Sequence, residues 1–380
     1  MEVLLHIGQS KTGTSAIQSF LTLNKRALNR ADIDFPSVNV GGFDIAVGAH
    51  NFLADAIAGK LIYPYVTADE FHRQLFHSHG AYKKIILSGE HFFGGEPRVW
   101  DCEGEDDYFE KYSGKVRRAS EFFSGKTVRI LVYLRPQVDW FESAISQTIR
   151  VQGLSKRKTI YRDDESFLTL MEPLLKYSRI LKVWRTNFPT AKIEVVPYIR
   201  SELIGQNSIT DFIHRTGLAH LSEAFGSPRL SVNESVTREF IEVKKILDGS
   251  VKSVHRERTI IKCLLELSKS SNFSSRYVIS DGLRDRIIDF SVRENQLISD
   301  QFLSGGELPI FTTRSMSPPV PSSGEIESAL EVFKREFKRP KYRLMEFGFA
   351  ARAKLRTKLP AVHGFLHVLK KKKRDFMYSR

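Results

Sequence analysis

At 380 residues, with 41% hydrophobic and 27% charged side chains, the chain has the make-up of a globular protein with a sizeable core. The length suits two domains, or one large α/β domain with an extension, and the composition excludes a mostly disordered, collagen-like or polytopic membrane chain. The net charge of +14 is concentrated: twelve Lys/Arg against two acids, Glu346 and Asp375, follow residue 340, so the last forty residues hold +10 of it. The body is only weakly basic, and no nucleic-acid partner is expected from it. Cys102 and Cys263 lie far apart without a CxxC or a histidine cluster. That excludes a disulfide scaffold and a zinc module and favours a reducing compartment. The opening MEVLLHIGQSKTGTS lacks the basic start of a signal peptide.

Val3 to Ile7 reads as a buried strand, Gly8 to Gly13 as a turn, and Thr14 onward as a helix with Ile17, Phe20, Leu21 and Leu28 on one side. Residues 31–48 carry little periodicity and read as a loop. A short helix is predicted from His50 to Ile57, a second buried strand over Lys84–Ser88, and an amphipathic helix over 106–124. Val128 to Leu134 forms a third strand, and a helix follows Arg135-Pro136 to about Val151. One long helix is predicted over 164–187 and a fourth strand over Lys192–Tyr198. Further helices are expected at 208–217, 234–249, 253–268 and 281–303. Strands alternating with helices imply a parallel sheet with helices on both faces. The predicted domains are a body over 1–304, a Pro/Gly/Ser-rich linker over 305–324, and a basic helical extension over 325–380.

Two segments carry the chemistry. The first is Gly8-Gln9-Ser10-Lys11-Thr12-Gly13-Thr14-Ser15, between a strand and a helix. A glycine turn lets backbone N–H groups converge, the helix N-terminus adds partial positive charge, Lys11 adds a full one, and Thr12, Thr14 and Ser15 add hydroxyls. That set suits a phosphate or sulfate ester; the plainer alternative is a tight turn with hydroxyl caps. It is not a Walker A sequence, because Lys11 precedes Gly13 instead of following it. No predicted strand ends in the Asp that would hold magnesium; only Glu90 could stand in. The second segment is Val132 to Ser143. Arg135 ends a strand, where open α/β sheets bind ligands. Pro136 suits a first helical position, and Ser143 follows about two turns later. Arg can fork two donors onto a phosphate.

HIGQSKTGTSAIQSFL resembles the 5′-phosphosulfate loop of sulfotransferases that use 3′-phosphoadenosine-5′-phosphosulfate (PAPS), and is most similar to the bacterial carbohydrate-type enzymes. Arg135 and Ser143 fall on the two signature positions of the family's 3′-phosphate motif, although Pro136 follows Arg135 directly where many members have one residue between. Asn233-Glu234-Ser235 and Glu294-Asn295 look like structural positions of the family, and the likeness spans about residues 1–304. The resemblance implies a P-loop-type α/β fold and a PAPS-dependent sulfotransferase acting on a carbohydrate or glycolipid hydroxyl without a metal. It implies Gln9, Ser10, Lys11, Thr12, Gly13, Thr14, Ser15, Arg135 and Ser143 as donor-binding residues. Lys11 would stabilise the leaving oxygen, with Glu90 or His91 as the base, since related enzymes use a Glu or a His. His50 is a weaker third candidate. The alternatives are an ATP-dependent P-loop kinase and a non-catalytic nucleotide-binding protein associated with membranes.

In the extension, Leu344, Phe347, Ala351 and Leu355 recur at helical spacing beside basic residues, ahead of Lys370-Lys371-Lys372-Lys373-Arg374. An apolar stripe beside a basic run suits an anionic membrane surface through residues 341–380. The expected location is cytoplasmic, peripheral on the inner face of the membrane.

Overall fold

The structure, a computed structural model, describes residues 1–37, 39–40, 43–44, 48–60, 67–78, 82–151, 160–225, 236–248, 253–273, 275, 277–303 and 321–358. The chain divides into two compact units. The first gathers Met1–Ser143, Asp163–Asn233 and Ile279–Ser315; the second gathers Ala144–Arg162, Glu234–Val278 and Met316–Arg380. Neither unit is one continuous segment, because helices distant in sequence pack together.

The first unit is built on five parallel strands, β1 (Glu2–His6), β2 (Ile33–Asp34), β3 (Lys84–Ser88), β4 (Thr127–Leu134) and β5 (Lys192–Pro197), in the order β2-β3-β1-β4-β5. The α/β expectation therefore holds, with helices flanking an all-parallel sheet. β1 is central, with Leu4 paired in register to Ile86 of β3 and Arg129 of β4. Successive side chains point to opposite faces. Leu4, Ile86, Leu131 and Tyr133 pack with Ile17, Phe20 and Leu21 of α1 (Thr14–Leu23) and with Ile209 and Phe212 further along. Val3, Leu5, Ile85, Leu87, Ile130 and Val132 alternate with them and are equally buried, so both faces are covered. Continuous apolar strands are the signature of such a sheet. β1 leads towards β2 on one side, and β4 leads to β5 on the other. The chain thus reverses direction between β1 and β4, where open α/β sheets have a crevice at the strands' carboxyl ends.

The remaining helices of this unit are α2 (Lys25–Arg30), α3 (Asn51–Ile57), α4 (Ala68–Arg73), α5 (Glu90–Phe93), α6 (Glu105–Phe122), the start of α7 (Gln137–Val151), α8 (Asp164–Leu175), α9 (Tyr177–Asn187), α10 (Ser208–Arg215) and α13 (Asp281–Phe302). The single helix expected over 164–187 is two. Lys176 leaves the helical region at ψ 65, soon after Pro173, which has no N–H to give the ladder. The start of α9 is capped through space: Ser178 donates its backbone N–H (3.0 Å) and its hydroxyl (2.7 Å) to Glu294 Oε2. Gln137 Nε2 donates to Asn295 Oδ1 at 2.9 Å. Glu294 and Asn295 thus hold helices in place. The stretch 31–48, expected as loop, contributes β2 and a two-residue hairpin pair, Asn39–Val40 with Phe43–Asp44.

In the second unit, α11 (Arg238–Asp248), α12 (Val254–Ser270), α14 (Ser323–Phe337) and α15 (Pro340–Lys358) pack together. Ser322 begins α14 with a reciprocal capping box to Glu325. Tyr342 is buried and donates to Glu266 Oε2 at 2.9 Å, which also takes Lys341 Nζ at 3.0 Å. The proposed linker lies largely outside the described residues, as do residues 359–380 and Asn233-Glu234-Ser235. Among the described residues, no helix is long and apolar enough to cross a membrane.

Candidate anion-binding and transfer site

β1 ends at His6, and the chain turns through Gly8–Gly13 before entering α1. The turn is tight because two glycines permit close approach. A Cβ on Gly8 would lie 2.5 Å from Thr14 Oγ1. Gly13 holds φ +78, and its Cβ would meet Ser208 Oγ at 2.5 Å and Tyr198 Oη at 2.9 Å. Lys11 also takes a left-handed backbone, φ 70, which a side chain with a Cβ rarely adopts. Gly13 is the N-cap of α1, no side chain caps it, and no acid lies in the first turn. The first N–H groups of a helix have no intrahelical partner, so this terminus keeps its positive end for an external anion.

The hydroxyls divide in a way that sequence does not reveal. Thr12 Oγ1 donates to the Gln9 carbonyl at 2.6 Å, and Thr14 Oγ1 lies 3.5 Å from the same oxygen. Both threonines are buried and shape the turn from within, whereas Ser15 is exposed and Ser10 half-buried.

The second motif lies against the first. Arg135 leaves the end of β4, and its backbone N–H donates to the buried Gln9 Oε1 at 2.8 Å. Its guanidinium Nη1 donates to the Lys11 carbonyl at 3.4 Å. Trp140 Nε1–H donates to Ser10 Oγ at 3.2 Å, and Tyr177 Oη–H donates to the Arg135 carbonyl at 3.0 Å. Gln9 was expected as a ligand; the structure uses its amide to join two turns 126 residues apart. Tyr198 Oη lies on the Gly13 side of the turn, and burial raises its pKa against the charge of Arg135. Ser143 is half-buried on α7. Its neighbour Glu142 fixes the helix by accepting from Arg284 at 2.8 Å and from the Ile279 N–H at 3.2 Å, with burial raising its carboxyl to about 7.

The end of β3 supplies the other candidates. Glu90 opens α5, flanked by buried Phe92 and Phe93. Burial raises its carboxyl pKa, while the charges of Lys11 and then His91 oppose the rise. Glu90 and Lys11 therefore share one electrostatic environment. His91 Nδ1 lies 2.8 Å from Oδ1 of the buried Asp55, and its backbone N–H donates to Asn51 Oδ1 at 3.1 Å. Lys115, buried in α6, donates to the carbonyls of His91 (3.1 Å) and Gly94 (2.9 Å). Burial lowers its pKa to about 7. Asp55, Asn51 and Lys115 were not among the expected residues, since only the packing of α3 and α6 brings them to His91.

His50 has a different task. Its Nδ1 accepts the Ser88 N–H at 3.0 Å, and its Nε2 lies 3.1 Å from the Pro36 carbonyl. Both ring nitrogens are engaged, and burial lowers the pKa to about 4, so the ring is a neutral clamp with no lone pair for a substrate proton. His6 is likewise buried, with Nδ1 2.9 Å from Ser88 Oγ and its pKa lowered by burial to about 3. Among the described residues no group of three or more His, Cys, Asp or Glu is placed to hold a metal ion.

The arrangement joins an uncapped helix terminus, a lysine and an arginine at one end of the sheet, with a raised-pKa carboxyl sharing the field of the lysine. Comparison of the chain with protein-family models, with curated proteins and with solved structures gave no match.

Proposed function

We propose that the chain is a PAPS-dependent sulfotransferase that moves a sulfuryl group to a carbohydrate or glycolipid hydroxyl. One observation carries the reading: the Lys11 and Arg135 turns lie against each other, tied through Gln9, at the reversal between β1 and β4. Two cationic sites so placed fit a ligand with an anion at each end, which describes the 5′-phosphosulfate and 3′-phosphate of PAPS. The P-loop-type character of the fold is part of this proposal, supported by the glycine turn between the central strand and α1.

In the reaction, the acceptor oxygen attacks sulfur in line. The new S–O bond forms as the bond from sulfur to the bridging oxygen breaks, and adenosine 3′,5′-bisphosphate leaves. Lys11 and the α1 terminus stabilise the negative charge that builds on the bridging and sulfuryl oxygens. Glu90, whose carboxyl pKa is raised by burial, accepts the proton of the acceptor hydroxyl. His91 stands next to it with Asp55 fixing Nδ1, which leaves Nε2 to exchange protons or to bond the acceptor. Positioning and electrostatics supply the catalysis, as in phosphoryl transfer.

The test is a thermal shift with adenosine 3′,5′-bisphosphate, ADP and AMP. The 3′-phosphorylated nucleotide should stabilise selectively, by about 2.7 kcal/mol at a hundred times its Kd. An equal response to ADP, together with magnesium-dependent ATP turnover, would replace this reading with the kinase.

We further propose a cytoplasmic, peripheral placement through the basic extension. Leu344 and Phe347 on α15 are 72% and 74% exposed, one turn apart, beside Arg343. An apolar pair next to cationic side chains suits the surface of anionic lipids.

A further inference from the structure

A cavity of about 920 Å³ opens between the end of α3, the segment following α5 and one side of α6. That volume is at the upper end of the range for ligand sites. Five of its lining side chains are cationic, Lys60, Arg98, Lys111, Arg117 and Arg118, against three carboxylates. Glu96 is already committed, accepting from Lys60 at 2.7 Å and Arg98 at 3.0 Å. Lys111 is held by Asp107 at 2.7 Å, and Arg118 donates Nε and Nη2 to the carbonyls of Ile57 and Ala58. Arg117 is exposed and makes no hydrogen bond or ion pair among the described residues. The wall therefore presents a guanidinium to an incoming anion. The carboxylates of Asp101 and Glu110 on the same wall make no hydrogen bond or ion pair among the described residues either. Carboxylates accept from sugar hydroxyls, which a DNA backbone does not offer, so the mixture favours a hydroxyl-rich anion over DNA.

The cavity connects to the turn that carries the base through two neighbours of its lining. Lys60 Nζ lies 3.9 Å from Asp55 Oδ2, and the other oxygen of Asp55 holds His91. Lys115, next to the lining residue Gly114, holds the His91 and Gly94 carbonyls. We infer that this cavity holds an acidic stretch of the saccharide acceptor, sugars bearing carboxylate or sulfate groups, while a neighbouring hydroxyl is presented to Glu90 and His91. The inference rests on the sulfotransferase reading for the word acceptor, and on the cavity alone for the binding of acidic sugars.

The experiment measures binding of four probes to the full chain by titration calorimetry: a hexameric polyuronate, a chondroitin sulfate hexasaccharide, maltohexaose and a decameric single-stranded DNA. The two acidic sugars should bind and maltohexaose should not. Arg117→Glu should weaken the acidic sugars at least tenfold, Arg117→Lys should keep them within about threefold, and the thermal shift with adenosine 3′,5′-bisphosphate should be the same in all three proteins. Equal binding of neutral and acidic sugars, equal response of DNA, or no effect of Arg117→Glu would overturn the site. If acidic sugars bind as expected but the nucleotide gives no shift in the unaltered chain, the sulfotransferase reading falls and a saccharide-binding site remains.

Discussion

Lys11 occupies a backbone conformation that glycine adopts freely and lysine adopts at a cost of roughly 1 kcal/mol or more. The strained turn offers the Lys11 carbonyl to the Arg135 guanidinium and sets the Lys11 charge where it acts on Glu90. Lys11→Gly should therefore raise stability to urea by about 1 kcal/mol while lowering sulfuryl transfer at least ~100-fold. A destabilised variant would contradict the strain argument, and an active one the catalytic assignment. His6 and His50 act on stability instead of chemistry. Both are neutral in the fold, with pKa values near 3 and 4 against 6.5 when unfolded. Between those limits the unfolded chain binds the extra protons, so their contribution is complete above pH 6.5 and is lost as pH falls below it. Together they should steepen the acid loss of stability by about 2.7 kcal/mol per pH unit around pH 5. Urea melts of the protein and of His50→Gln between pH 7 and 4.5 test this; the variant should lose about half of that added slope.

The turn and helix units carry the geometry that residues alone do not define. Gly13 allows α1 to begin against Tyr198 and the N-terminus of α10, and Gly13→Ala adds a methyl 2.5 Å from Ser208 Oγ at φ +78. We expect a loss of about 1–3 kcal/mol in stability and no thermal response to adenosine 3′,5′-bisphosphate, both measurable in one melting series. Much of this level is legible in the sequence. Four of the five sheet strands, the helix after the second phosphate motif and the start of the helix after the first lie within a residue or two of expectation, because buried parallel strands are continuous apolar runs; the first helix, expected to carry Leu28, ends at Leu23 and Leu28 lies on α2. β2 is not legible: two residues, Ile33 and Asp34, pair with β3 and carry no periodicity. The boundary at Lys176 is obscured because the apolar pattern continues across Pro173, and the cap that restarts the helix comes from Glu294, 116 residues away. In the site, the pairing of the Lys11 and Arg135 turns follows from their motifs. The inward commitment of Thr12, the clamp made by His50 and the support of His91 by Asp55 and Lys115 depend on tertiary neighbours that spacing does not encode.

At the scale of the whole molecule, the basic extension begins as part of a folded unit. Ala329, Phe333 and Tyr342 are buried, and α14 and α15 pack with α11 and α12. Removing residues 325–380 should destabilise that unit by several kcal/mol, since each large buried side chain contributes about 1.5–3 kcal/mol. Such a truncation would confuse misfolding with loss of membrane binding. Removing only 359–380 should leave the melting temperature within about 2 °C while reducing capture by anionic liposomes in a salt-sensitive manner. Liposome capture that survives this shorter cut would move the contact to α15, and no capture of the full chain would end the membrane proposal.

The buried amide of Gln9 has a consequence for the proposed nucleotide site. Since one side chain spans the loops that would grip opposite termini, neither loop settles independently: occupancy of one makes the other more rigid. Small anions offered alone, such as pyrophosphate, should then sharpen the response to a partner fragment such as adenosine 3′-monophosphate. Severing the span with Gln9→Ala should leave two weak, indifferent half-sites in place of one discriminating grip.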